Sequence, residues 1–240
     1  MRPTPEYIDL VFLLLMFGIL ATLVVGHYVA CQRAQLNDPS RRTIWLMVGI
    51  LGWVMLLAFL ASIGIFAQFD RLPPRLPLLL FAAMLTIVFL ITRPVTKKLA
   101  AAVPMHWPLI LQGFRVPLEF ILWSLFINNA LPEQMTFSGY NYDILSGILG
   151  LILGFGLFKG WVKSKALIMV YNILGLVLLA TIVTIAVLSI PTPFRYFMNE
   201  PANTIVAYVP YVWIPGVYVL MALFLHLFSI KQVLGDRNIK

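Results

Sequence analysis

The sequence predicts an all-α membrane protein, a polytopic bundle of seven transmembrane helices. Of its 240 residues, 61% are hydrophobic and 11% are charged, and the mean hydropathy is +0.95. Soluble domains average about 25% charged residues, so a soluble core of this length cannot account for so much apolar surface. The apolar residues also form long runs without the period-two alternation of barrel strands, which favours helices.

Seven apolar segments approach or reach the roughly 20 residues that a helix needs to cross the hydrocarbon core. Their approximate bounds are 8–30, 44–66, 76–92, 107–128, 143–160, 166–190 and 210–229. The third and fifth are short, and the fifth lengthens if Lys159 extends its amine to the interface beside Trp161. All seven are predicted to form one domain, residues 1–240, with no soluble appendage.

The basic residues predict the orientation of the helices. Twelve of the seventeen Lys and Arg residues fall in the connections after the first, third, fifth and seventh segments, and four fall on the other side. Because cytoplasmic loops carry the excess of Lys and Arg, the N-terminus is predicted outside and the C-terminus in the cytoplasm. This topology signal accounts for most of the net charge of +8, so no nucleic-acid partner is predicted. Anionic lipid headgroups on the cytoplasmic face are the predicted partners of these residues.

Small and polar residues inside the fifth and sixth segments predict close helix packing. Gly150 and Gly154 are four residues apart and allow two backbones to approach, which favours packing within the bundle over a dimer interface. Tyr171 and Asn172 in the sixth segment are expected to form hydrogen bonds between helices. The single cysteine, Cys31, excludes an intramolecular disulfide.

The fourth segment carries two charges near its middle, Arg115 and Glu119. A charge at the bilayer centre costs about 2.5–3.5 kcal/mol on insertion scales, so such residues face a bundle interior or a wet cavity. The same helix face holds Gln112 and Trp123, because successive spacings are three, four and four residues. These four residues are the strongest candidate ligand-binding set in the sequence.

Pro117 lies between the two charges and predicts a kink. It has no backbone N–H, so the carbonyl of Gly113 loses its helical donor. In one interpretation, the kinked helix, the Arg115 guanidinium and the Glu119 carboxylate together form a polar pocket. In the other, the charges are an internal salt bridge or an inter-helix lock without a ligand. Arg115 before Glu119 is the weaker order for an intrahelical pair, which favours partners on other helices.

Two outer loops form the second candidate region. They read PEQMTFSGYNYD and PTPFRYFMNEPANTIVAYVP, and are rich in aromatic, amide and charged groups. Loops of this kind cover pockets and carry function more often than the scaffold does. We therefore add Asn141, Asp143, Arg195 and Glu200 to the candidate ligand-binding residues. The alternative is simple lid packing, with Arg195 paired to Glu200 or Asp143.

The three histidines, His27, His106 and His226, all fall toward the predicted cytoplasmic side. Three imidazoles at one depth suit a metal ion or axial ligation of haem. No two of them form a ligand motif, and interfacial histidine is the commoner case. The sequence therefore predicts no cofactor and no metal site, with haem or metal at these histidines as the alternative.

The strings QMTFSGYNYDIL, PFRYFMNEPAN and HLFSIKQ resemble a family of small bacterial inner-membrane proteins of about 240 residues with no assigned function. The resemblance covers most of the chain, and its motifs are the two outer loops and the end of the seventh segment. It implies a multi-pass location in the bacterial inner membrane. It implies no activity, cofactor or catalytic residue.

The leading functional hypothesis is binding or transport of a small polar or amphiphilic molecule, with Arg115 pairing an anionic group. Glu119 would orient Arg115 or carry a proton. Two alternatives stay open. A membrane-embedded enzyme acting on lipid or quinone would use Glu119 as a general base, with haem as one variant. A structural subunit of an envelope complex would use the charges only as a helix lock. Catalytic residues are not assigned.

Overall fold

The computed structural model describes residues 4–235, and nine α-helices account for most of them. The helices are α1 (Glu6–Arg33), α2 (Pro39–Ser62), α3 (Arg75–Thr92), α4 (Pro94–Ala102), α5 (His106–Leu111), α6 (Arg115–Ile127), α7 (Asp143–Phe158), α8 (Lys165–Leu188) and α9 (Leu220–Gly235). No strand occurs between residues 4 and 235, so the predicted all-α class is confirmed. Three basic residues in the sequence-based orientation argument lie outside the described residues: Arg2, Arg237 and Lys240.

Six of the described helical segments are long and apolar enough to cross a membrane. They correspond to the predicted spans except the fifth, which holds α7 with 16 residues. At 1.5 Å per residue, α7 is about 24 Å long, less than the ~30 Å hydrocarbon core. It stops because Gly160 takes a φ of 73°, a left-handed conformation that glycine adopts without strain.

Two of the long segments change helix type along their length. A 3₁₀ turn, Gln112–Phe114, joins α5 to α6 within His106–Ile127. Pro117 follows this turn, and its missing N–H leaves the carbonyl of Gly113 without an α-helical donor, as predicted. A π-helical segment, Ile214–Val219, leads into α9 within Ile214–Gly235. Short π-helical segments frequently occur at functional sites because their wider turn displaces side chains from the regular α-helical positions.

The connection between the third and fourth predicted spans contains a helix, α4, where the sequence-based interpretation had only a loop. Pro94 opens this helix at its first position, where its missing N–H costs no hydrogen bond. Lys97 and Lys98 are exposed, while Thr96 and Ala100 are buried. The helix is therefore amphipathic and lies against the bundle.

The segment ending in α9 lies at the centre of the bundle. In its most apolar window, 67% of the residues are buried, against 11% for α3. α9 contacts α3, α4, α5 and α8. This central position explains the polar face of α9, where His226, Ser229 and Gln232 are buried. The side-chain amide of Gln232 donates to the carbonyls of Ala100 and Val103, which joins α9 to the end of α4.

The two ends of the bundle differ in their contacts. At one end, the Tyr211 hydroxyl donates to the Asp9 carboxylate near the start of α1; we call this the Asp9 end. At the other, the Arg33 guanidinium lies over the Trp107 ring, with 5.1 Å to the ring centroid; we call this the Arg33 end. His106 contacts Phe158 near the Arg33 end, with 5.2 Å between ring centroids. The span from α5 to α6 therefore runs toward the Asp9 end, and α7 returns.

α7 packs closely against α5 through its glycines. A Cβ atom built on Gly150 would lie 2.8 Å from the Leu109 carbonyl oxygen and 2.6 Å from the Tyr171 hydroxyl oxygen. A Cβ on Gly154 would lie 2.9 Å from the backbone nitrogen of Ile110. The predicted role of these two glycines in packing within the bundle is thus observed in the contacts of α7 with α5.

We expect Gly150→Ala to lower the free energy of unfolding by about 1–3 kcal/mol, because the Leu109 carbonyl cannot move aside without shifting α5. Reversible unfolding in mixed detergent micelles would measure the change. Gly18→Ala in α1 is the matched control, since nothing lies within 4 Å of an added Cβ there. Equal stability of the two variants would contradict the close-packing interpretation.

Candidate functional site

Arg115 forms its ion pair with a different helix from its own. Its side chain is 1% exposed, and Nη1 donates to Oδ1 of Asp143 at 3.0 Å. Asp143 is the first residue of α7, where the helix dipole also favours a carboxylate. The ion-pair partner of Arg115 is therefore Asp143 and not Glu119. The Arg-before-Glu order made an intrahelical pair weak, and the partner comes from α7 instead.

Glu119 lies one turn along α6 from Arg115 and is 2% exposed. Its Oε1 accepts a hydrogen bond from Nδ2 of Asn141 at 2.7 Å. The same Nδ2 donates to the carbonyl of Met135 at 3.1 Å, and Oδ1 of Asn141 accepts from the backbone N–H of Asp143 at 3.1 Å. Asn141 therefore connects the Glu119 carboxylate to the backbone of Asp143 and to the Met135 carbonyl in the first loop.

Both predicted outer loops fold onto the end of the bundle that holds Arg115, Glu119 and Asp143. Gln134 in the first loop donates to the Ser189 hydroxyl at the end of α8, at 3.0 Å. Asn203 in the second loop donates from its backbone N–H to the Ser189 carbonyl, at 2.9 Å, and from its amide to the Ala186 carbonyl, at 3.1 Å. The two loops are thus anchored at a common point above the buried charges.

Several buried polar atoms at this site have no hydrogen-bond partner among residues 4–235. They are Nε and Nη2 of Arg115, Oε2 of Glu119 and Oδ1 of Asn203. An unsatisfied buried group costs about 1–3 kcal/mol, and more when it is charged, so a water or a ligand that bonded these atoms would stabilise the site. Nε and Nη2 are neighbours on one edge of the guanidinium, and their N–H groups point the same way. That edge matches the two oxygens of a carboxylate.

These groups border a cavity of about 70 Å³. Arg115, Glu119, Asn141 and Asp143 form its polar part, and Asn203 also lines it. The rest of the wall is mainly apolar and comes from α3, α6, α8 and the π-helical segment; it includes Leu80, Leu118, Leu179, Ile182 and Tyr218. One water needs about 10–15 Å³ of such space, so the cavity holds several waters or one small ligand.

Two predicted residues on the charged face of the fourth span point elsewhere. Gln112 is buried, but its Nε2 donates to the Ala222 carbonyl of α9 at 3.2 Å, and it does not line the cavity. The 3₁₀ turn at Gln112–Phe114 turns about 120° per residue, which rotates Gln112 away from the face that α6 continues. Trp123 stacks on Phe137 of the first loop, with 6.1 Å between ring centroids.

Arg195 and Glu200 pair with each other within the second loop, at 3.0 Å. Arg195 also donates to the carbonyls of Phe197 and Asn199. Neither residue lines the cavity beside Arg115. The structure thus agrees with the alternative in which the loop packs as a lid and Arg195 pairs with Glu200. The Arg195 hydrogen bond and the backbone N–H of Ala202 lower the pKa of the exposed Glu200 carboxyl.

The three histidines have separate surroundings. His27 contacts the Thr43 hydroxyl at 3.0 Å, and His106 packs against Phe158. His226 is fully buried, and its Nδ1 lies 3.0 Å from Oδ1 of Asn172. In residues 4–235, no three His, Cys, Asp or Glu side chains are grouped closely enough to hold a metal ion.

A polar network around His226 joins three helices, and the sequence had not singled it out as a unit. Asn172 donates to the carbonyl of Ile168 and to the Ser229 hydroxyl, so its Oδ1 must accept from Nδ1–H of His226. Nε2 of His226 is then an acceptor, 3.4 Å from the Ser146 hydroxyl. Ser146, His226 and Asn172 thus resemble the nucleophile, the base and the orienting group of a catalytic triad. Because neither Ser146 nor His226 lines the cavity, we assign the network to helix packing.

The fold and site define a class: an all-helical bundle compatible with a multi-pass membrane protein, with buried charged groups beside an internal cavity. A protein-family model described as a domain of unknown function, DUF8737, matches residues 73–234, and the chain belongs to this family. Arg115, Glu119, Asn141 and Asp143 all lie in the matched segment, whereas α1 and α2 precede it. The comparisons with curated proteins and with solved structures each found no match.

We expect the Arg115–Asp143 pair to behave as a coupled unit in unfolding experiments. Arg115→Gln or Asp143→Asn alone leaves one buried charge and should lower the free energy of unfolding by about 3–5 kcal/mol. The double variant leaves no uncompensated member of this pair and should lose less than the sum of the two. A double-mutant cycle in detergent measures the coupling, and strictly additive losses would contradict a direct ion pair.

The second loop should loosen in acid. Because the folded-state pKa of Glu200 is lowered, its contribution is fully present above the unfolded value, about pH 4.3, and is lost as the pH falls through the folded value. The protection factors of the amides in residues 191–203, which are corrected for the intrinsic pH dependence of exchange, should therefore fall at low pH. Glu200→Gln should show the lower protection already at neutral pH, whereas protection factors that do not change with pH in the unmodified protein would disagree with this account.

Proposed function

We propose that this chain is a multi-pass protein of the bacterial inner membrane that binds a small carboxylate with a short apolar tail and moves it across. The observation that carries the proposal is the free Nε–Nη2 edge of Arg115, buried beside a cavity whose remaining wall is mainly apolar. A carboxylate would satisfy both N–H groups at once, and its tail would lie against the apolar wall.

The charges around the cavity suggest how an anion would be accepted. With Arg115, Asp143 and Glu119 all ionised, the formal local charge is already −1, and a carboxylate ligand adds another negative charge. Two net negative charges in a poorly solvated site are costly. We therefore propose that the ligand enters together with a proton, which Glu119 holds at Oε2, the oxygen that has no hydrogen-bond partner in the described part of the chain. Protonated Oε2 would donate a hydrogen bond to the ligand.

The proposed topology places this site near the outer side. The excess of basic residues on the Arg33 end supports a cytoplasmic location for that end and an outer location for the Asp9 end. In this arrangement, α7 is the short fifth span and brings the total to seven. Its polar first turn lies inside the bundle beside Arg115. The two loops anchored near Ser189 would then cover the outer entrance.

The lock hypothesis has one observation in its favour, because the Arg115–Asp143 pair joins α6 to α7. A structural subunit would need that pair. However, the lock uses only Nη1 of Arg115. It gives no role to Nε and Nη2 of Arg115, or to Oε2 of Glu119, which are buried without partners. The carboxylate hypothesis accounts for these atoms.

The test compares binding of acetate, butyrate, hexanoate and hexanol to the purified protein in lipid nanodiscs. We expect hexanoate to bind more tightly than acetate, because each added methylene buries apolar surface worth about 0.8 kcal/mol. Hexanol lacks the carboxylate and should bind more weakly than hexanoate. Arg115→Lys keeps a positive charge for Asp143 but has no parallel N–H edge, so it should weaken hexanoate binding about tenfold or more.

Arg195→Lys is the matched control, since Arg195 lies in the second loop and does not line the cavity. Its affinity for hexanoate should equal that of the unmodified protein. In proteoliposomes, the uptake of labelled hexanoate that exceeds passive uptake by protein-free liposomes should follow an inward proton gradient, and Glu119→Gln should remove that excess. Equal affinities for hexanoate and hexanol, or an unchanged affinity for hexanoate in folded Arg115→Lys, would contradict the proposal.

A further inference from the structure

A second, larger cavity of about 710 Å³ lies between the α1–α2 hairpin and the helices α3, α4, α5 and α9. Its volume falls within the range of roughly 300–1,000 Å³ that is typical of ligand pockets. The wall is almost wholly apolar and includes Leu23, Ile50, Trp53, Ile87, Leu99 and Phe224. The cavity is thus suited to a hydrocarbon chain, and it is separate from the polar site beside Arg115.

The cavity is accessible from the side of the bundle. Trp45 in its wall is 65% exposed, and Val95 is 39% exposed. Trp45 begins the second predicted span and Trp107 the fourth, both near the Arg33 end, where tryptophans occupy the membrane interface. A molecule that lies in the surrounding lipid can therefore place a chain in the cavity and keep its head at the interface.

Two guanidinium groups lie near the interfacial end of the cavity. Arg33 lies over the ring of Trp107, which lines the cavity. Arg42 precedes Thr43, whose hydroxyl contacts His27 in the cavity wall at 3.0 Å. Nε of Arg42 donates only to the Asn37 carbonyl, and neither arginine forms an ion pair with a carboxylate of the described residues. Both guanidinium groups are therefore available to an anionic group at this end of the cavity.

From this combination we propose that the cavity binds one anionic phospholipid, with an acyl chain inside and the phosphate at Arg33 and Arg42. The apolar wall accounts for the chain, and the two arginines account for the negative headgroup, since Lys and Arg side chains near a membrane surface attract anionic lipids. The cavity lies at the junction between the α1–α2 hairpin and the segment that the family model matches. The lipid would fill the space between these two parts of the bundle.

Two glycines on α2 provide a matched pair of variants for the test. Gly49 lines the cavity and Gly52 does not, yet nothing lies within 4 Å of an added Cβ at either position. We expect Gly49→Leu to fill part of the cavity and to lower the affinity for dioleoyl phosphatidylglycerol at least tenfold, equivalent to about 1.4 kcal/mol. Gly52→Leu should bind this lipid like the unmodified protein. Native mass spectrometry of detergent-purified protein with added lipid gives the affinity.

Charge variants test the headgroup separately. Arg33→Gln should weaken the binding of phosphatidylglycerol, while Lys163→Gln, an exposed lysine between α7 and α8, should not. Dioleoyl phosphatidylcholine, whose headgroup has no net charge, should bind less tightly than phosphatidylglycerol and should lose less affinity on Arg33→Gln. If Gly49→Leu does not fold, Gly26→Leu on α1 fills the same cavity, because an added Cβ there also meets nothing within 4 Å.

Two results would overturn the proposal. The first is full affinity for phosphatidylglycerol in folded Gly49→Leu and Gly26→Leu, which would show that the cavity holds no lipid chain. The second is equal affinity for the two lipids together with no effect of Arg33→Gln, which would show that no anionic headgroup is recognised. Neither result depends on binding of hexanoate at Arg115.

Discussion

The pairing of the buried Arg115 guanidinium is the constraint on which the candidate site depends. A guanidinium that is 1% exposed in an apolar bundle must find a carboxylate, and Asp143 at the start of α7 provides it. That pairing holds α7 against α6, with Asn141 connecting Asp143 to Glu119. Because Asp143 uses only Nη1, the opposite edge of the same guanidinium remains free for a ligand.

The central segment ending in α9 forms the wall between the two cavities. Pro215 and Tyr218 of its π-helical part line the polar cavity, while Gly216 and Val217 line the apolar one. The Trp53 indole of α2 donates to the Gly216 carbonyl at 2.7 Å, so the hairpin contacts this thin wall directly. A lipid in the apolar cavity would therefore support the wall that bounds the proposed carboxylate site.

The sequence predicted the helical class and the apolar segments because hydropathy is a property of each segment alone. It also selected Arg115, Glu119, Asn141 and Asp143 from their chemistry, and the structure brings these four together. It did not predict that Asp143 pairs with Arg115, since the candidates for Arg115 were Glu119 or a partner on another helix, and Asp143 was considered as an ion-pair partner only of Arg195. The spacing in the sequence placed Gln112 and Trp123 on the same helical face as the charges. In the structure, the 3₁₀ turn directs Gln112 toward α9, and Trp123 stacks on Phe137 of the first loop.

By itself, the sequence determined that this chain folds as an apolar helical bundle with charges inside, because composition and run length set how each segment partitions between water and lipid. Only the tertiary structure decided which edge of Arg115 is free. It alone decided that a large apolar cavity lies beside the α1–α2 hairpin. These features arise from contacts between residues distant in sequence, which no local pattern encodes.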